Sequence, residues 1–429
     1  MKLRNYLFVF FLTVSSLFGQ TPYNAVGYGL FIDQVDAASF GLGTAGFVPS
    51  FNSVSSIGNP STWSELMFTY LSSHYNTGAV EFQEQGGKSY FGRLINSVFI
   101  VPIKQKYAFG LGIRPLTRKK FYLNDSDLEP YVFSGDTISV SKNIKGSGGI
   151  SSFYIAGCWK YRENSTIAVQ MDFLLGTFSE VTTSTLSNST YPIIYQRSLQ
   201  FNGTLLSLFL KQTLTYLPIK STIFLMYQLP AGTTKLSETD YHPFEDIDRN
   251  KEHSSQDNPN PSDVDAITKT HTNFSYPTTI KFGYTGNLSG KHFVLFEYVL
   301  RKCGGIKEWD YLHTLKSEKP NISFTNDERI SIGYLKEGDP KVRNIFEKLH
   351  FRFGIFQQKH YIFGFKGISY ERGFSFGLGI PFGSTHNQLD IGCRISERDG
   401  FLVNERERII QGTAGITIGD IWLVKGRRR

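Results

Sequence analysis

The sequence predicts an all-β protein, a single transmembrane antiparallel β-barrel of about 14 strands with an N-terminal segment in its lumen. Composition is the first observation behind this prediction. The 429 residues include 37 Phe and 23 Tyr but only 4 Trp and 4 Met, and aromatic residues favour strands. Second, apolar and polar residues alternate along many segments. Third, short connections alternate with longer polar ones, which is typical of bacterial outer-membrane barrels.

Residues 1–20 have the order of a secretory signal peptide. Lys2 and Arg4 precede an apolar core from about Tyr6 to Leu12, and small residues follow this core. The core is too short for a membrane-spanning helix, and no later segment reaches the roughly 18 consecutive apolar residues that such a helix needs. We therefore expect a cleaved signal peptide and a location in the outer membrane of a Gram-negative-type bacterium.

Residues 21–65 do not fit the strand pattern and are rich in Gly, Ser and Asn. They end directly before the first predicted strand, "LMFTYLSSHY". A segment on the periplasmic side of the first strand can fold into the lumen of a barrel. The sequence therefore predicts a plug over residues 21–65.

The barrel itself is predicted over residues 66–424 from period-2 alternation. In "TIAVQMDFLL" one face carries Ile167, Val169 and Phe173, whereas the other carries Thr166 and Asp172. The same alternation recurs at 278–284, 348–356 and 388–395. One face is apolar throughout, and the opposite face is polar or glycine, as lipid outside and a wet lumen inside require.

The connections divide into two classes. Short ones are predicted near 103–106, 161–165, 217–221, 287–291 and 382–386, with a longer break near 338–348. Longer, polar ones are predicted at about 77–89, 123–143, 184–193, 236–272, 303–325, 359–366 and 396–405. Strict alternation of the two classes gives an even number of strands with both ends on the short-turn side. Strands of about ten or more residues are too long for a secreted sandwich or propeller, which is the alternative.

The hairpin "VPIKQKYAFGLGIRPLTR" joins strands predicted at 90–102 and 107–122. Pro115 interrupts the second strand, and a missing N–H there favours a bulge or a local gap in the wall.

Alternation also predicts which residues face the lumen. The charged candidates are Arg114, Asp172, Lys281, Glu297, Arg352, Asp390 and Arg394. We interpret most of these charged residues as members of structural ion pairs rather than as ligand contacts. Phe293, with Leu174 and Leu295, adds apolar surface that would suit an amphipathic ligand.

Several function classes are excluded or disfavoured. The formal net charge is +8, but much of the excess lies in the signal peptide and in a basic tail at 425–429, so a nucleic-acid-binding face is not expected. No Ser/His/Asp grouping suggests catalysis, and we predict neither an enzyme nor a cofactor. Cys158, Cys303 and Cys393 are interpreted as small apolar residues.

The acidic loop at 246–257 has carboxylates at spacings similar to those of a calcium loop. Lys251 stands where that loop requires glycine, so we interpret it as a solvated loop and assign no metal site. Whether it binds calcium stays open at this stage.

Two N-terminal stretches, "FGLGTAGF" and "GNPSTWSEL", resemble the signature of the FadL-type long-chain fatty-acid transporters and the related PorV-type outer-membrane proteins. Asn59 and Pro60 hold the first two places of that family's Asn-Pro-Ala-Gly-Leu-like motif, and Ser61 replaces the alanine. The hairpin around Pro115 and the last strand, "GTAGITIGDIWLVKGRRR", resemble the same proteins. The stretch "FVPSFNSVSSIG" departs from the family because it lacks a carboxylate, which weakens transfer of the fatty-acid ligand.

The resemblance implies a monomeric outer-membrane channel that passes hydrophobic or amphipathic small molecules, such as long-chain fatty acids. It makes Pro115 a candidate for an inward kink that opens the wall sideways to outer-membrane lipid. The alternative is a PorV-type component of protein secretion or surface attachment, whose partner would be a protein of the secretion machinery. Sequence does not separate these two functions.

Overall fold

A computed structural model describes residues 21–420 except 84–85, 126–130, 134–135, 217–218, 233, 275, 305–322, 340–341, 343, 365–366, 384–386 and 400–405. The predicted signal peptide and the basic tail lie outside the described residues. Within the described part of the chain, no helix has the length and apolar character needed to cross a membrane.

The chain forms a closed barrel of 14 antiparallel strands, which confirms the predicted fold class. Each strand pairs with its neighbours in sequence, and β14 closes the barrel on β1, with Thr69 opposite Asp420 and Phe82 opposite Glu407. The strands are β1 Thr69–Phe82, β2 Lys88–Ile103, β3 Tyr107–Pro115 and Phe121–Asp125, β4 Val140–Arg162, β5 Ser165–Leu186, β6 Ile193–Leu214, β7 Ser221–Pro230 and Thr234–Asp240, β8 Ile267–Phe274 and Thr278–Ser289, β9 His292–Lys302, β10 Ser323–Phe324 and Asp327–Lys336, β11 His350–Gly364, β12 Gly367–Phe382, β13 Asn387–Asp399 and β14 Arg406–Asp420.

The remaining elements are short. Two α-helices, α1 Ala37–Gly41 and α2 Ile345–Lys348, and three 3-10 helices, Pro22–Ala25, Pro60–Glu65 and Pro261–Asp263, are not part of the barrel wall. Leu30–Phe31 pairs with Thr117–Arg118, Tyr131–Phe133 pairs with Asp136–Ile138, and Phe244–Glu245 pairs with the start of β6.

Side chains alternate along the wall as the sequence predicts. On β5, Ile167, Val169 and Phe173 are exposed on the outside, whereas Thr166 and Asp172 are buried inside. Exposed apolar side chains recur around the outer surface, on β3, β4, β10, β11 and β14 among other strands. A continuous apolar exterior of this kind matches the hydrocarbon of a bilayer.

The strands extend further than the predicted loops allow. Most of the loop expected at about 77–89 belongs to β1 and β2, and the one expected at about 359–366 is strand up to Gly364. Strands β4, β5 and β6 have 23, 22 and 22 residues. Strands pair through backbone hydrogen bonds, and this pairing continues beyond the part of the barrel with an apolar outer face, because a strand in water needs no apolar face. A change to polar composition therefore does not by itself mark where such a strand ends.

The N-terminal segment from Thr21 to Leu66 lies inside the barrel. Nearly every side chain described in it is buried or half-buried, and Val54, at 44%, is an exposed exception. Helix α1 packs against β12 and β13. The lumen at this level is therefore filled by the chain itself.

Candidate functional site

The Asn59-Pro60-Ser61 motif is a capped turn within the N-terminal segment. The Asn59 side-chain oxygen accepts hydrogen bonds from the Ser61 backbone N–H at 3.1 Å and from the Ser61 hydroxyl at 2.7 Å. Its amide nitrogen donates to the Phe47 carbonyl oxygen at 2.7 Å. An Asn at this position satisfies free N–H groups at the start of the 3-10 helix, and here it also joins two parts of the segment.

Glu297, on strand β9 of the wall, binds an earlier turn of the N-terminal segment, at residues 45–48. Its carboxylate accepts the backbone N–H groups of Ala45, Phe47 and Val48 at 2.7, 3.0 and 3.3 Å. Lys281, on the adjacent strand β8, is close enough for its charge to act on Glu297. A carboxylate with three backbone donors is well stabilised inside a protein, so Glu297 is a structural anchor.

Two arginines of the wall donate hydrogen bonds to backbone carbonyl groups of the same segment. Arg329 donates to the Gly43 carbonyl at 2.7 Å. Arg352 donates to the Ser50 carbonyl at 3.1 Å and to Asp390 at 2.7 Å. Each guanidinium therefore ties the segment to the inner face of the wall.

Asp33 completes this set of anchors from the segment's side. Its carboxylate lies 2.5 Å from Arg301, which also pairs with Asp327 at 3.0 Å. Burial alone would raise the pKa of Asp33, but the positive charges of Arg301 and Arg329 outweigh it and lower the pKa to about 2. The positive charges of Arg301 and Arg329 therefore favour the ionised form of Asp33.

The predicted lumen-facing residues are thus partly brought together. Arg114 pairs with Asp172 at 2.9 Å and Arg352 pairs with Asp390. Phe293 is buried in the apolar cluster that includes Leu295 and Phe47. Arg394 is buried, but it forms no ion pair with a described residue.

The strand break at Pro115 is a gap in the wall. Ladder pairing between β2 and β3 runs from Ile103 opposite Tyr107 to Ser97 opposite Ile113 and stops there. After Pro115 the chain turns inward, where Thr117–Arg118 pairs with Leu30–Phe31. When the strand resumes at Phe121 it pairs with β4, and among the described residues it makes no ladder with β2.

Gly29 makes this inward turn possible. A Cβ at Gly29 would lie 2.0 Å from the Arg118 carbonyl oxygen, and its φ of +73° is in the left-handed region. Only glycine combines that backbone conformation with such a close approach. The inward part of β3 and the N-terminal segment are therefore fitted to each other.

A cavity of about 70 Å³ lies beside the break, between the N-terminal segment and the upper wall. Its lining is mixed, with apolar side chains next to charged ones. It is lined by Leu30, Phe31, Val80, Phe91 and Ile409 on the apolar side, and by Arg93, Arg118, Arg329, His360, Glu371, Arg394 and Arg398 among the charged or titratable side chains.

Sequence reasoning missed most of these charged residues. Arg93 precedes a bulge at Ile95 that shifts the register of β2 against β1, and Arg118 lies in the inward turn, so period-2 alternation does not apply to either. Glu371 and Arg398 lie in regular strands. The lumenal position of Glu371 follows from the alternation of β12, whereas that of Arg398 follows once β13 is extended into the loop predicted at about 396–405.

The acidic loop brings Asp246, Asp248 and Asp257 together, with ligand atoms within 4.8 Å of one another. Local backbone groups occupy some of these oxygens, because Asp257 accepts the N–H groups of Ile247 at 2.9 Å and Ser254 at 2.6 Å. This pattern is that of a loop stabilised by its own carboxylates.

The fold has solved counterparts. It is similar to the crystal structure of a Pseudomonas aeruginosa FadL homologue, with a TM-score of 0.55 and 12% identity over 91% of this chain and 99% of that one. It is also similar to the P. putida toluene transporter TodX, with a TM-score of 0.53 and 11% identity over 91% of this chain and 100% of that one.

These similarities concern the fold, because the identities are low. The FadL-type resemblance predicted from the motifs therefore holds at the level of the fold. No curated protein is detectably similar in sequence. The family model of BamG matches residues 1–428, nearly the whole chain, and the protein belongs to the BamG family.

Proposed function

We propose that this barrel is an outer-membrane channel through which small amphipathic or hydrophobic molecules pass between the lumen and the lipid. The observation that carries the proposal is the gap between β2 and β3 above Pro115. A wall whose β2–β3 ladder stops beside an internal cavity offers a sideways route into the membrane. The fold shared with a toluene transporter supports the same reading.

The chemistry near the gap suits a molecule with both apolar and polar parts. The cavity carries Phe31 and Phe91 on one side and arginines on the other. Outside, the same hairpin presents an apolar groove of about 500 Å³, lined by Phe99, Phe109 and Leu111 among others. Apolar surface in the cavity and on the outer wall of the same hairpin lowers the barrier for a solute that leaves water.

Replacing Pro115 by Val tests the sideways route. Valine supplies the missing N–H, and we expect the β2–β3 ladder to extend and narrow the gap. Uptake of a hydrophobic fluorescent probe into cells or proteoliposomes should fall severalfold, whereas leakage of a polar solute should stay unchanged.

Pro102→Val is the matched control, because Pro102 lies in the same hairpin but inside the continuous ladder, opposite Ala108. Equal uptake by the Pro115 variant, the Pro102 variant and the unmodified barrel would contradict the sideways route.

A different observation favours secretion or surface attachment as a second candidate. On the short-turn side, Ile345 and Phe346 of α2 are each 71% exposed and Met67 is 64% exposed. Apolar side chains exposed at a rim are typical of a surface that contacts a partner protein. This candidate takes precedence if the Pro115 variant leaves uptake unchanged.

A further inference from the structure

We propose that the cavity beside the β3 break binds an oxyanion, a phosphate or carboxylate group, through Arg93, Arg118 and Arg394. These three residues are called the arginine cluster below. The inference goes beyond the proposed channel and does not depend on it, since an anion can be held in this cavity whether or not other molecules pass the gap.

The cavity has a large excess of positive charge. Its lining includes five arginines but one carboxylate, that of Glu371. Glu371 is already engaged, because it accepts a hydrogen bond from Ser396 at 2.8 Å and lies 3.7 Å from Arg398 and 3.3 Å from His360. Its charge also acts on Arg93 and Arg394, but among the described residues it forms no ion pair with either.

The other nearby charges are also accounted for. Arg398 pairs with Glu407 at 2.5 Å. Asp33 and Asp327 share Arg301. Arg329 donates to neutral partners, namely Gln358, Ser331 and the Gly43 carbonyl. The charge of Asp33 also acts on Arg394, but among the described residues none of these carboxylates forms an ion pair with the arginine cluster.

The arginine cluster has unsatisfied donors. Arg394 is 2% exposed, and its Nε and Nη2 atoms have no hydrogen-bond partner. The Nε atom of Arg93 also has none. Among the described residues, no carboxylate forms an ion pair with any of the three arginines.

Aromatic rings hold the guanidinium groups in place. Arg93 and Arg118 lie over the same Phe91 ring, 5.6 and 5.0 Å from its centre. Arg394 lies 4.1 Å from the centre of the Phe40 ring and 4.6 Å from that of Phe356. The cations are therefore preorganised rather than free to swing into water.

Arg394 is buried and Arg93 and Arg118 are half-buried, and guanidinium groups without an ion-pair partner are costly in such places, because they lose hydration and repel one another. Arg93 is close enough to both Arg118 and Arg394 for this repulsion to act. An oxyanion removes both costs, since its oxygens accept several guanidinium N–H groups at once. The Arg-rich lining therefore selects an anion.

The size of the cavity limits the ligand. A cavity needs about 10–15 Å³ to hold one water, so 70 Å³ accommodates a single phosphate or carboxylate group but no acyl chain. The group can be a free anion from the lumen or a lipid headgroup that enters through the gap. Both sources present the same oxyanion to the arginine cluster.

Binding is tested on the purified full-length barrel in a non-ionic detergent. Equilibrium dialysis with labelled inorganic phosphate should show saturable binding. The double variant Arg118→Gln, Arg394→Gln should bind at least tenfold more weakly. Arg372→Gln is the matched control, because Arg372 is exposed on the outer face of β12, and it should bind like the unmodified barrel.

A second measurement does not require the double variant to fold. Phosphate should raise the thermal unfolding midpoint of the unmodified barrel above that in sodium chloride of equal ionic strength, as a ligand of the folded state does. In anion-poor buffer, Arg394→Gln alone should unfold at the same or a higher temperature, because it removes an uncompensated charge.

Reconstitution separates the two sources of the anion. If a lipid headgroup is the ligand, vesicles containing phosphatidylglycerol should suppress phosphate binding, whereas phosphatidylcholine vesicles should not. If the ligand is a free anion, phosphate should bind equally in both. Two results together would overturn the proposal. The first is that the unmodified barrel and the double variant bind phosphate and phosphatidylglycerol equally well, and the second is that neither ligand raises the unfolding midpoint of the unmodified barrel.

Discussion

At the scale of single residues, several buried charges of the lumen each have a specific partner. Arg352, Glu297 and Asp33 are buried, and each has a specific group on the opposite side of the interface between wall and segment. Replacing both partners of such a contact by apolar residues often costs little folding free energy. Removing only one partner is costly, because it leaves the other charge buried and unpaired. These residues therefore fix where the segment sits more than they add to net stability.

Arg352→Met should destabilise the folded barrel by about 3–5 kcal/mol, because it leaves the charge of Asp390 buried without its ion-pair partner and removes the hydrogen bonds that Arg352 donates to the carbonyl groups of Ser50 and Phe51. Denaturant titration in lipid vesicles measures the change. Lys88→Gln is the control, since its pair with Glu81 is largely in water, and we expect no measurable loss there. Equal effects of the two substitutions would show that the Arg352 contacts do not anchor the segment.

At the scale of elements, alternation was enough to predict the strands that face lipid, because successive side chains in these strands point alternately to the lipid and to the lumen. It could not predict the inward turn of β3, which depends on a contact with Leu30–Phe31 far away in sequence. It also gave no reason for glycine on the inner face. A Cβ at Gly354 would lie 1.8 Å from the Leu42 carbonyl oxygen, and one at Gly377 would lie 2.8 Å from the Cα of Gly41. These glycines make room for the N-terminal segment.

A charge on the outer face of β5 tests the orientation of the strands. Phe173 is outward and in the middle of its strand, and Phe173→Arg should cost about 2–4 kcal/mol if the position lies near the bilayer midplane. Tyr216→Arg should cost about 0–1 kcal/mol because this residue lies at the short-turn rim. Refolding into vesicles measures both, and a cost at Tyr216 equal to that at Phe173 would place the apolar band elsewhere.

At the scale of the whole molecule, the barrel and residues 21–66 form one structure. The wall supplies Glu297, Arg329 and Arg352, and the segment supplies the backbone groups that they bind. Composition indicated a small-residue segment before the first strand, but the pairing of each wall charge with a backbone group required coordinates. The segment thereby fills the lumen at this level, and we expect passage along the barrel axis to require that the segment moves.

Deleting Gly27 to Asn59 should therefore open the lumen. The wall charges that bind the segment would become hydrated, and planar-bilayer conductance to small ions should rise well above that of the intact barrel. Gly354→Val offers a milder test, because its side chain would displace Leu42 and loosen the segment without shortening the chain. Gly412→Val is its control, since a Cβ at Gly412 meets nothing within 4 Å. If the deletion variant assembles into a folded barrel and conducts no more than the intact protein, the segment is not the barrier. The channel proposal would then lose its gate, and a role in secretion or surface attachment would take its place.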